Sequence, residues 1–188
     1  MTGERRGGHV LDAAIRLIAA DGLAAVSIRA VAAEAGVSLA QVQYYFRSKE
    51  ELVTAALEQA EDEFLAQVAL VLERPRSRRR LRAAIDLWLP LDEERERRVK
   101  VWLAFVGAAA ARPALAEQAR QTDEQLRGWY RTELAALGVA DPDAAAAHLL
   151  ALVDGVALQS LALPRRSRPA LVRRTVDAWL DRLPGGDD

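Results

Sequence analysis

Apolar residues recur along this chain at helical spacing almost from end to end, and no stretch alternates in the two-residue rhythm of a strand. Val10, Leu11, Ala14, Ile15, Leu17 and Ile18 predict a first helix over about Gly8–Asp21, stopped by Gly22. Ser27 is the expected N-cap of a second, whose stripe is Ile28, Val31, Ala32 and Ala35 and whose stop is Gly36. Val26 and Val31 are spaced as a hydrophobic staple. Ser38 opens a third helix, with Gln41 as capping-box partner and Val37 with Val42 as a second staple. Ser48 opens a fourth, with Glu51 as its partner, which runs to about Leu72 before Pro75. Five more follow over about Ser77–Leu89, Asp92–Ala111, Ala114–Leu137, Asp141–Leu163 and Pro169–Leu183, and residues 184–188 read as a frayed tail. The expected fold is all-α with about nine helices.

Composition narrows the chemistry. Hydrophobic residues make up 51% of the 188, enough for a substantial core. Cysteine is absent and histidine occurs twice, at His9 and His148, so disulfides, thiolate nucleophiles and histidine-rich metal sites are excluded. No cofactor is expected. The N-terminus lacks a signal-peptide pattern, and no segment of about 20 apolar residues reads as a membrane span, so a soluble cytoplasmic protein with no membrane partner is expected. The net charge of −1 argues against indiscriminate coating of nucleic acid but not against a local contact.

The third helix carries the most informative chemistry. At 100° per residue, Val42 and Phe46 share one face, which must be buried. Ala40, Gln41 and Tyr44 project opposite, flanked by Gln43 and Tyr45. Glutamine can bond adenine at two points in a major groove, and a small alanine allows close approach or contact with a thymine methyl. Tyrosine hydroxyls, Lys49 and the backbone N–H groups at the helix starts of Ser27, Ser38 and Ser48 suit phosphates. The expected DNA-contacting set is therefore Ser27, Ser38, Leu39, Ala40, Gln41, Gln43, Tyr44, Tyr45 and Lys49. Plainer readings stay open: Gln41 as a capping residue only, and Tyr44 or Tyr45 packed against the first or fourth helix.

Farther along, Leu149–Leu163 is apolar nearly all round and needs cover on several sides. With the stripe of the last helix it suggests a four-helix bundle between two copies, through Leu149, Leu150, Val153, Ala157, Leu161, Leu171, Val172, Val176, Trp179 and Leu183, with Gly155 permitting close approach. The alternative is packing within one chain. Trp88, Trp102, Phe105, Trp129 and Tyr130 are candidates to line a ligand cavity. Asp154 either meets a cationic ligand or accepts from an arginine, His148 or the backbone. Arg74, Arg76, Arg78, Arg79, Arg80 and Arg82 read as a solvated loop and helix face, with a second nucleic-acid patch as the rival. Arg5 and Arg6 form either a disordered tail or an arm toward DNA.

The run A-E-A-G-V-S-L-A-Q-V-Q-Y-Y-F-R-S-K-E-E-L, with its surroundings over Val10–Leu57, resembles the DNA-binding domain of TetR-type transcriptional regulators. W-L-A-F-V-G-A-A-A-A-R-P-A-L and A-L-V-D-G-V-A-L-Q are most similar to the BetI-like subgroup of C-terminal domains. The resemblance implies a helix-turn-helix domain over 4–64 and a ligand-binding and dimerisation domain over 65–188. It further implies a homodimer that binds palindromic double-stranded operator DNA and is released by an unknown small-molecule effector, as in a repressor. Gln41 stands where the family often has threonine, Gln43 where it has tyrosine and Ala40 where it has glycine, so an altered operator preference is expected. No nucleophile–base pair, metal spacing or phosphate loop points to an enzyme. An all-α enzyme and an interaction protein that has lost DNA binding are the rival readings.

Overall fold

The computed structural model describes residues 4–110 and 113–184. Among them every regular element is helical: α1 (Glu4–Asp21), α2 (Ile28–Ala35), α3 (Leu39–Tyr45), α4 (Lys49–Leu72), α5 (Arg78–Trp88), α6 (Glu93–Ala109), α7 (Pro113–Ala136) and α8 (Pro142–Leu161). The ninth, α9, starts at Arg168–Val172 and continues through a π-helical turn (Arg173–Asp177) into Ala178–Leu180. The turn is a departure from the regular helix expected there. The Thr175 hydroxyl donates to the Leu171 carbonyl at 2.8 Å, the local competition that widens a helical turn.

Local chemistry explains the starts and stops. The side chains of Ser27, Ser38, Ser48, Ser77, Asp92 and Asp141 each accept from the backbone N–H three residues on, at 2.8–3.2 Å. Gly36 ends α2 in the left-handed region (φ 67°, ψ 31°), where a side chain would be strained. The capping boxes are less regular than expected. Glu51 accepts from the Arg47 N–H at 2.7 Å, and the exposed Gln41 amide makes no reciprocal hydrogen bond.

Two apolar cores result. The first gathers Val10, Ala14, Ile18, Val26, Val31, Val42, Phe46, Leu52 and Ala56 from α1–α4, and Val101 of α6 completes it. Val26 with Val31 and Val42 with Phe46 are buried, so the α2–turn–α3 unit is fixed from beneath. The second gathers Leu81, Ile85, Leu134, Leu149, Val153, Val156, Val172, Val176 and Leu180 from α5 and α7–α9. α4 runs from one to the other, with Leu52, Val53 and Ala56 buried near its start and Val71 near its end.

Three expectations are corrected here. The arginine run is the expected solvated face only in part: Arg74, Arg76 and Arg79 are exposed, and the other three are tied into the fold. Arg80 is buried, donating to Glu133 and to the carbonyls of Leu72 and Arg74 that end α4, while Arg78 donates to the Leu183 carbonyl and Arg82 pairs with Asp86 and Asp177. α8 is, by length and hydropathy, apolar enough to cross a membrane. In this fold one side of it, with Leu149, Val153 and Val156, packs on α5, α7 and α9, while Ala151 and Leu158 face outward. Finally, Leu149, Leu150, Val153, Ala157, Val172 and Val176, six of the ten expected interface residues, are already buried within a single chain. Periodicity marks a residue as covered without saying by what. Leu161, Leu171, Trp179 and Leu183 remain partly accessible.

Candidate nucleic-acid interface and ligand cavity

α3 stands on the first core through Val42 and Phe46 and turns the rest of its surface outward. Ala40, Gln41 and Gln43 are exposed, as are Leu39 at 42% and Tyr44 at 82%. Leu39 is thus an apolar side chain left partly open in the protomer. Tyr45 is half-buried against the first core, its ring 5.2 Å from that of Tyr44 in an edge-on arrangement. Ser27 and Ser38 are exposed at the starts of α2 and α3, and Lys49 lies in the first turn of α4. Arg29 and Arg47 are also exposed, one residue beyond the start of α2 and two beyond the end of α3. The sequence reading passed over both, although basic residues beside two helix starts were a usable signal. The side chains of Arg5 and Arg6 lie outside the described residues.

The second site is a cavity of about 360 Å³ between α4, α5, α6, α7 and α8. Trp88, Trp102, Phe105, Trp129 and Tyr130 all line it. Phe64 joins them from α4, with its ring 5.3 Å from Trp88, which in turn is 5.4 Å from Trp102. Gln118, Thr122, Gln125, Glu61 and Arg98 supply polar groups. Neither Phe64, the one aromatic of α4, nor Arg98 was among the residues expected to line it.

Asp154 is placed differently from the expectation that it meets the ligand directly. It lies behind the wall and accepts from the Trp88 indole N–H at 3.2 Å. Its partner is therefore none of those anticipated. Burial pushes its carboxyl up to about 6, against the Trp88 hydrogen bond and with help from the Asp123 charge. Burial raises the Tyr130 hydroxyl as well, and the Asp154 charge adds to it. An aromatic wall with a carboxylate behind it is an environment that favours an organic cation.

Residues 10–56 match the family profile described as bacterial regulatory proteins, tetR family, and residues 77–185 match that of the BetI-type transcriptional repressor, C-terminal. The chain belongs to the TetR family. It is 30% identical over 187 residues to the transcriptional regulator BetI of Agrobacterium fabrum, covering 94% of this chain and 89% of that one. A transcriptional regulator from Rhodococcus sp. Rha1 shares 35% identity and superposes with a TM-score of 0.83, covering 94% of both chains. A regulator from Saccharomonospora viridis, solved in complex with choline, shares 26% identity and a TM-score of 0.84, covering 98% of this chain and 100% of that one. This TetR-family chain is thus a transcriptional regulator, all-α with an N-terminal helix-turn-helix, and its named relatives are regulators, not enzymes.

Proposed function

We propose that this TetR-family regulator is a cytoplasmic homodimeric repressor that reads a palindromic operator with α2–α3 and lets go when a small organic cation enters the aromatic cavity. The observation that carries the reading is the course of α4. One continuous helix starts at Lys49 beside the exposed residues of α3 and presents Phe64 to the cavity. In this reading Gln41, Gln43 and Tyr44 contact bases, Leu39 and Ala40 contact thymine methyls, and Ser27, Ser38, Tyr45 and Lys49 contact phosphates. The domain division expected after residue 64 then falls within the helix that joins the two activities.

The cation follows from the wall of Phe64, Trp88 and Trp102 and from the carboxylate behind Trp88. The choline complex of the Saccharomonospora viridis relative supports the same class. For the dimer, the side chains buried within the protomer give way to the outward ridge of α8. Ala151, Gly155, Leu158 and Ala162 recur there at helical spacing, with Leu158 51% exposed. A Cβ on Gly155 would meet nothing inside the protomer, and in this reading the bare backbone there lets a second copy approach closely.

Selection of bound duplexes from a random DNA pool tests the reading. One enriched palindrome, relaxed at one or two base pairs by Gln43→Ala and released by choline, is the expected result. No enrichment sinks the operator reading, and enrichment indifferent to Gln43→Ala sinks the assignment of α3.

A further inference from the structure

Arg98 differs from every other residue of the cavity wall. Its guanidinium carbon lies 5.2 Å from the Phe64 ring centroid, so one aromatic face is already covered by a cation belonging to the protein. Its Nη2 donates to Gln67 Oε1 on α4 at 2.9 Å and to Glu94 Oε1 at 3.3 Å, and its Nη1 donates to the Leu87 carbonyl of α5 at 2.6 Å. Gln67 closes the triangle by donating to the same Glu94 oxygen at 2.7 Å. Among the described residues, no other side chain lining the cavity is hydrogen-bonded to α4. The Arg98 side chain is 11% exposed, whereas that of Glu94 is 58% exposed, so a displaced guanidinium has a carboxylate at hand toward solvent.

We infer that Arg98 is a tethered stand-in for the effector and the residue that reports occupancy to the reading head. This rests on the reading of the cavity as the effector site. An entering organic cation and the guanidinium compete for the Phe64 face and repel each other. When the effector wins, Arg98 turns toward Glu94 and gives up Gln67, and of the two bonds from Gln67 to α6 only the one to Glu94 is left to hold α4. From Gln67 back to Lys49 is about 27 Å of helix, so a tilt of about 5° moves the Lys49 end by about 2 Å, enough to break phosphate contacts.

The test uses the full-length protein and a duplex obtained by selection. Operator affinity is read by anisotropy, and binding of choline, the probe, by calorimetry. Without choline, Gln67→Leu and Arg98→Met should each weaken operator binding roughly tenfold, because both mimic the released state. Choline should then change operator affinity by less than about twofold in either variant, against the roughly 5–150-fold typical of coupled sites. Arg98→Met should bind choline more tightly than the wild type, its competitor being gone. Should Arg98→Met fold poorly, Arg98→Lys serves instead. It keeps a charge near Phe64 but loses the planar fork, so choline affinity should stay near wild type while coupling is lost. Wild-type coupling in Gln67→Leu overturns the inference. So does weaker choline binding by Arg98→Met, or no choline binding by either the wild type or that variant. Failure of the wild type to bind any selected duplex strikes the regulator reading itself.

Discussion

Replacing Glu133 by alanine should destabilise the protein more than the loss of any exposed ion pair. Glu133 lies on α7, one turn past Tyr130, and accepts from Arg80 Nε at 3.2 Å and Nη2 at 2.5 Å. The two side chains are 5% and 8% exposed. Removing one partner of such a pair leaves a desolvated charge behind, at a cost of about 3–5 kcal/mol. Arg80 keeps its bonds to the Leu72 and Arg74 carbonyls, at 3.2 and 3.0 Å, which places the loss near the lower end of that range. At 2–4 °C per kcal/mol for a chain of this size, about 3 kcal/mol lowers the melting temperature by about 6–12 °C. The assay is a thermal melt by circular dichroism at fixed protomer concentration, since a dimer's melting point depends on it. Arg16→Ala is the comparison, because its pair with Glu34 is 45% and 37% exposed and should be worth under about 1 kcal/mol. Arg80→Met combined with Glu133→Leu should recover most of the loss, since apolar groups of similar volume leave no charge unpaired. Refutation comes if Glu133→Ala melts with Arg16→Ala, or if the double variant is no better than Glu133→Ala.

Other measurements bear on the two sites. Lys49→Ala should weaken binding of all duplexes alike and lower the salt slope of log affinity by about 1, the signature of one phosphate contact; a change in sequence preference would contradict it. Glu96 is held down to about 2, chiefly by the hydrogen bond from Arg168, with Lys100 and Arg165 adding to it against burial. A depressed carboxyl stabilises the fold above its ordinary value and loses that contribution as pH falls toward 2, so Glu96→Gln should flatten the loss of urea resistance between pH 5 and 3. Asp154 has the opposite sign. With its carboxyl near 6, it is mostly neutral at pH 5 and mostly ionised at pH 7. Choline binding should therefore strengthen by up to about tenfold over that interval, and Asp154→Asn should abolish the dependence.

Much of the fold was legible because its signals are local. A serine hydroxyl three residues from a backbone N–H, or a glycine where the chain must turn left-handed, acts over one turn, and a short window of sequence contains the whole interaction. Most of the aromatic wall was legible for another reason: five large side chains on three successive helices have few places to go. What escaped was long-range or ambiguous in sign. Arg80 and Glu133 are 53 residues apart, and nothing near either one marks it as paired. Arg98 sits in the charged run Glu93–Arg98, where a solvated face is the natural reading, yet the fold turns it onto Phe64. Six of the ten expected interface residues turned out to be covered within the chain for a different reason. An all-round apolar helix announces that it needs cover, and the same pattern is satisfied by a neighbour in its own chain or in another.

Val101 carries one more consequence. It belongs to α6, yet it is 5% exposed within the core built by α1–α4, and Ala104 packs beside it. The reading head is therefore not a detachable cassette. A fragment cut after α4 would bare the apolar patch that α6 covers, and a chimera made by exchanging heads between relatives would meet a foreign α6 at its underside. Recombination within the family should tolerate crossovers that carry α6 together with α1–α4 better than those that cut at the apparent seam.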